Sequence, residues 1–214
     1  MNLVETVRVK FTKTGRAKYI SHLDLNRTMT RVLRRANIPL WYTEGFNRHP
    51  YITFAAPLSL GYEGLAEYMD FRLEEPMDSD EIVNRLNATM PDGITVLSAA
   101  PAQMKVGEIA FASWRLTFPP EFADRIRELL ALDTIPVEKR TKKGGTKTVD
   151  IKPHIQNVHV DTDSEKTVLT LDLPLGNLAL NPALLLSALR KGGEAVPCSV
   201  VRTGLLAENG TQFS

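Results

Sequence analysis

The chain has 214 residues, 43% of them hydrophobic and 24% charged, proportions that allow a buried core and exclude general disorder. Its one cysteine, Cys198, excludes an internal disulfide and a thiolate cluster for zinc or an iron–sulfur centre, so no metal and no cofactor is expected. No stretch approaches the roughly 20 apolar residues of a membrane span, and Met1 to Lys10 lacks the apolar centre of a secretion signal. A cytoplasmic protein with no membrane partner is expected.

The net charge of +1 conceals an uneven distribution. Residues 1–50 hold ten Lys/Arg against three Asp/Glu, and residues 51–133 hold six against fourteen. Residues 134–160 hold six against two, and the remainder four against six. Clustered charge of this kind creates local fields that the sum hides.

Val7 to Phe11 alternates apolar and charged residues, the period of a half-buried strand. Ser21-His22-Leu23-Asp24 sets a hydroxyl three residues before a carboxylate, as at a helix start, and the helix should run to about Ala36. Its apolar positions Leu25, Met29, Val32, Leu33 and Ala36 share one side, and Arg27, Arg31, Arg34 and Arg35 the other. Leu40 to Tyr42 and Tyr51 to Phe54 read as strands around a turn-rich loop, Glu44 to Pro50. Leu65 to Leu73 alternates again, with Met69, Phe71 and Leu73 against Tyr68, Asp70 and Arg72. A helix from Ser79 to Met90 and a strand from Ile94 to Leu97 follow.

Ala99 to Gly107 reads as a linker. Beyond it come a strand at Trp114 to Phe118, a helix at Glu121 to Leu132, paired strands between Val137 and Leu173, a helix at Pro182 to Lys191 and a strand at Ser199 to Leu205. The expected fold class is therefore α+β, two tandem ferredoxin-like β-α-β-β-α-β halves with antiparallel sheets. The domains fall at residues 1–100 and 108–214, the second carrying a basic hairpin.

Three constellations offer contacts for a polyanion. Arg27, Arg31 and Arg35 recur at four-residue spacing with Arg34 beside them, and Lys10 and Lys18 precede the same helix. Guanidinium forks in a row suit successive phosphates, although a solvated face pairing with the acidic middle segment accounts for such spacing equally well. Phe46 could stack on a base while Arg48 and His49 hold a phosphate or move a proton. The bland alternative packs Phe46 inward and gives His49 one structural hydrogen bond. Lys139, Arg140, Lys142, Lys143 and Lys147 flank the Gly144-Gly145 turn of a basic hairpin, which contact with a polyanion explains better than packing does. The reading expects these three constellations to line one concave surface. Tyr19, His22 and His49 are the only catalytic candidates, as an acid–base group for RNA cleavage.

Lys18-Tyr19-Ile20-Ser21-His22-Leu23-Asp24-Leu25, Glu44 to Pro50, Ile52 to Leu58, Glu67-Tyr68-Met69-Asp70 and Val149-Asp150-Ile151-Lys152-Pro153 together resemble the bacterial radical-SAM-linked family DUF2344. The likeness covers nearly the whole chain. It implies a stand-alone relative of chains fused behind a radical-SAM enzyme with a B12-binding-type region, often encoded beside ribosome or RNA-processing proteins. It supplies a partner and a context but no reaction. The expected function is an RNA-binding accessory protein that presents ribosomal or transfer RNA to a radical-SAM partner for modification, with enzymatic activity of its own left open. Two alternatives stand beside it: a metal-independent RNA endonuclease like those that process CRISPR transcripts, and an adaptor that touches only protein.

Overall fold

A computed structural model describes residues 5–140, 144–190 and 194–214. The chain divides into two compact units, Met1–Glu108 with Gln212–Ser214, and Ile109–Thr211. Each has an antiparallel sheet with two α-helices in its element order, which makes the protein α+β.

The first unit runs β1 (Glu5–Lys13), α1 (His22–Arg35), β2 (Ile52–Phe54), β3 (Glu63–Leu73), α2 (Ser79–Asn87) and β4 (Ile94–Pro101). β1 pairs with β3 on one side and β4 on the other, and β2 joins the far edge of β3, so the order is β4-β1-β3-β2. Alternation sends Val7, Val9, Phe11, Met69, Phe71 and Leu73 to one face, where they meet the buried Leu25, Met29, Val32 and Leu33 of α1 and Ile82 and Leu86 of α2. Each such side chain contributes roughly 1.5–3 kcal/mol on burial, so this layer fixes which side of α1 faces inward. The opposite sheet face receives Arg8, Lys10, Tyr68, Asp70 and Arg72, whose partners across the strands are set by the register.

Local chemistry sets the ends of α1. The Ser21 hydroxyl accepts from the Asp24 amide at 3.2 Å and donates to the Asp24 carboxylate at 2.7 Å. At the other end Asn37 takes φ of 50°. The Ile38 amide then reaches the Leu33 carbonyl and the Asn37 amide the Arg34 carbonyl, a Schellman closure that satisfies two free carbonyls.

The elements depart from expectation in places. Leu40 and Tyr42 make only isolated bridges, to Leu73 and Pro50, because Pro39 and Pro50 lack the amide donors a continuous ladder needs. α2 stops at Asn87, whose side chain turns away to bond both backbone groups of Val96. Ala99 to Pro101, read as linker, extend β4 along Val7, Arg8 and Val9.

The second unit runs β5 (Ile109–Phe118), α3 (Ala123–Ala131), β6 (Pro136–Arg140), β7 (Thr146–Asp150), β8 (Gln156–Thr162), β9 (Thr167–Pro174), α4 (Pro182–Ala188) and β10 (Ser199–Ala207). Its sheet order is β10-β5-β9-β8, and β6 with β7 forms a separate two-stranded hairpin. α3 begins after a 3-10 turn over Pro120–Phe122, which delays it relative to the expected start at Glu121. Lys191, the expected end of α4, lies outside the described residues.

Candidate nucleic-acid interface

All four arginines of α1 are exposed. Arg27 pairs with Asp24 at 3.4 Å, a solvent-exposed contact one turn away of the kind worth about 0.2–1 kcal/mol. Arg35 donates to the Thr89 carbonyl just beyond α2 at 3.0 Å, and the Arg34 guanidinium lies 5.9 Å from the centroid of the Tyr42 ring. Among the described residues Arg31 has neither kind of partner. Together with Thr28, these last three arginines line an open hollow of about 400 Å³. Among the described residues none of the three lies within salt-bridge distance of a carboxylate. The acidic start of α2 is engaged elsewhere: Asp78 caps its own helix, and Glu81 pairs with Arg85.

The loop after Tyr42 starts from the same hairpin that Arg34 touches. Gly45 has φ of 115°, a conformation that glycine adopts without steric cost, and the next side chain, Phe46, is fully exposed. The inward-packed alternative for Phe46 is thereby corrected: the loop carries no apolar contact for it. Arg48 and His49 are exposed as well. His49 Nδ1 lies 3.0 Å from the Asn47 carbonyl and 3.2 Å from the Thr43 hydroxyl, contacts that hold the loop's shape. Among the described residues no hydrogen bond or ring contact joins Tyr19, His22 and His49. Tyr19 is two-thirds exposed, and His22 stands edge-on to Phe54 at 5.3 Å.

Lys10 and Lys18 divide in role. Lys18 reaches Glu63 at 3.5 Å, whereas Lys10 lies over the Tyr68 ring at 5.9 Å with no carboxylate beside it. In the hairpin, Lys139 stands directly across from Lys147 and Arg140 across from Thr146. Like charges opposite each other destabilise a strand pair, and Lys139 relieves this only in part by donating to the Ala179 carbonyl at 2.6 Å. The base is fastened below: Asp150 accepts from the Ile135 amide at 2.7 Å and the Lys152 amide at 3.0 Å. Lys152 in turn donates to the Leu130 carbonyl at the end of α3. Lys142 and Lys143 lie outside the described residues.

Sequence reading passed over a further set on the helix-free face of the first unit's sheet. Arg72 lies 4.3 Å from the Tyr51 ring and 5.4 Å from that of Trp41, with no carboxylate within salt-bridge distance among the described residues. Arg8 makes a fork to Asp70, both bonds 2.7 Å, and lies 4.1 Å from the Phe213 ring. The alternation of Tyr68, Asp70 and Arg72 was the available signal, but which aromatic rings meet those positions depends on pairing across the sheet. Among the described residues no group of three or more His, Cys, Asp or Glu is arranged to hold a metal ion. Among the same residues no helix is long and apolar enough to cross a membrane.

The fold and these surfaces define an α+β protein with three arginines of one helix outside any ion pair among the described residues, and a lysine-bearing hairpin in its second unit. The chain belongs to the DUF2344 family, described as uncharacterized proteins conserved in bacteria, whose model matches residues 6–180. The search of curated proteins finds no match.

Proposed function

We propose that this protein binds a structured RNA, ribosomal or transfer RNA, and presents it to a separate radical-SAM enzyme. One observation carries the reading: Arg31, Arg34 and Arg35 edge an open hollow with no acidic residue in its lining and no carboxylate within salt-bridge distance among the described residues. Guanidinium groups left without carboxylates keep their donors for phosphate oxygens. Phe46, Arg48 and His49 lie on the exposed loop that follows Tyr42, the ring Arg34 approaches, and would meet a base or its phosphate. Lys139, Arg140 and Lys147 of the hairpin would add an outer set of phosphate contacts, as would Lys142 and Lys143, which lie outside the described residues. Both halves are read as ferredoxin-like, which the order of one inner pair and two outer strands in each sheet supports. The radical-SAM partner rests on the family resemblance and is tested by co-purification.

Fluorescence anisotropy with bulk transfer RNA tests the RNA reading. Affinity should fall with salt by about 0.7–0.9 powers of concentration per phosphate contact, and the double variant Arg31→Glu/Arg34→Glu should lower both affinity and slope. Weak binding that is indifferent to salt, or an unchanged slope in the variant, removes RNA from the account. A stable complex with the radical-SAM partner that carries no nucleic acid would then favour the protein-only adaptor.

A further inference from the structure

The hairpin of residues 40–51, at the margin of the first unit's sheet, carries an arginine on each of its two sides. Successive side chains of an extended segment point to opposite faces, and Trp41 and Tyr42 are neighbours. Tyr42 packs against the core that α1 and α2 cover, and so do Phe71 and Leu73 on either side of Arg72; Trp41 and Arg72 therefore share the helix-free face. Each ring meets one guanidinium: Arg34 lies 5.9 Å from the Tyr42 centroid and Arg72 5.4 Å from that of Trp41. Backbone bonds fix the arrangement. The Trp41 amide donates to the Arg72 carbonyl at 2.9 Å and the Tyr51 amide to the Trp41 carbonyl at 3.3 Å, which sets the Tyr51 ring 4.3 Å from the same Arg72 guanidinium.

Arg72 is held in place without being neutralised. A ring takes up the face of a guanidinium, whereas its five N–H donors lie in the plane and stay available to an anion. Among the described residues neither Arg72 nor Arg34 has a carboxylate within salt-bridge distance, and Asp70, two residues back on β3, is committed to Arg8. Rings that restrain the guanidinium also reduce the freedom lost when an anion binds, so the fork is set in advance. At the tip of the hairpin the Thr43 amide donates to the His49 carbonyl at 2.9 Å and closes the loop. Phe46 stands within that loop, fully exposed.

We propose that Arg72 is a phosphate contact for an unpaired RNA segment that passes around this hairpin, with Arg34 on one side, Phe46 against a base at the tip and Arg72 on the other side. The inference rests on the RNA reading above and narrows it to a single-stranded segment. Stiffness excludes a duplex: DNA has a persistence length of about 150 base pairs and does not fold around one hairpin, whereas a single strand turns at each nucleotide. Stacking on Phe46 demands the same, because only an unpaired base can be splayed out onto an aromatic side chain.

Fluorescence anisotropy over a salt series tests the inference on the full chain, with a short labelled oligouridylate and an RNA duplex of equal length. Arg72→Gln and Arg72→Met both remove the charge, methionine keeping an apolar stem between the rings, and thermal melting selects a folded variant for the comparison. On the single strand that variant should lose about 0.7 from the slope of log affinity against log salt, the value of one phosphate contact, and several-fold in affinity at fixed salt. Arg72→Lys keeps a charge and should keep the slope. On the duplex none of these changes should alter the slope. The inference is overturned if oligouridylate does not bind, if the neutral variant keeps the parent's slope on the single strand or loses as much on the duplex, or if Arg72→Lys loses the slope as well. Transfer RNA judges the RNA reading separately: a salt-dependent affinity that falls in Arg31→Glu/Arg34→Glu leaves that reading standing when Arg72 is silent, whereas a parent that binds neither RNA removes both.

Discussion

Arg8 is nearly inaccessible to solvent, and its partner Asp70 is little more exposed. A pair this buried gains little over apolar residues of the same size, yet removing one partner strands the other charge. Arg8→Met should therefore destabilise the first unit by about 3–5 kcal/mol, read by urea unfolding, and Arg8→Met/Asp70→Leu should recover much of that loss. A single variant as stable as the parent would mean that Asp70 has another partner. At the same scale, burial pushes the Cys198 thiol up to about 12, and the thiol donates to its neighbour's carbonyl, that of Ser199. Because the thiolate is the reactive form, disulfide-exchange labelling should stay slow from pH 7 to 9 and accelerate only as pH approaches the raised value. An unshifted thiol would already be substantially ionised at pH 9. The side on which Arg8 and Asp70 lie was legible in the alternation of β1 and β3; that they face each other was not, because the two residues are 62 apart and register sets the pairing.

Among elements, α1 was the most legible. Ser21 and Asp24 marked its start, the apolar spacing marked its inner face, and four arginines marked the outer one, so core and candidate interface were both visible in one 14-residue segment. Short strands were harder to read, since Leu40 to Tyr42 has the composition of a strand while its flanking prolines restrict the ladder. The turn into β4 carries a constraint of its own. Gly93 has φ of 85°, and a Cβ there would lie 2.5 Å from the Thr14 carbonyl oxygen, which belongs to the backbone. The same turn receives the Thr14 amide on the Gly93 carbonyl at 2.8 Å. Gly93→Ala meets both a left-handed backbone, costing roughly 1–2 kcal/mol, and a contact that only backbone movement relieves. Its denaturation midpoint should fall accordingly, whereas Gly144→Ala, with φ also at 85° but no atom within 4 Å of the added carbon, should lose only the conformational part.

For the molecule as a whole, charge runs along the sequence pointed to α1 and to the β6–β7 hairpin. The third expected contributor, the loop at Phe46, joins α1 through Tyr42 and Arg34. Sequence separation hid the aromatic partners of Arg72 and the return of Phe213 to the first unit, because both arise from long-range packing. If the two cationic elements grip a single RNA, they act as linked sites, and the second contact forms at the high effective concentration set by the first. Replacing Lys139 and Lys147 by glutamine should then lower transfer RNA affinity by a larger factor in the parent than in Arg31→Glu/Arg34→Glu, since the second chain has already lost the anchored contact. Simple additivity, with the same factor in both backgrounds, is the outcome for independent sites. The comparison is made by anisotropy at one fixed salt concentration, with melting temperatures showing that Lys139→Gln/Lys147→Gln is at least as stable as the parent. Stability should hold or rise because the change removes a pair of opposed ammonium groups from the hairpin and replaces them with neutral amides.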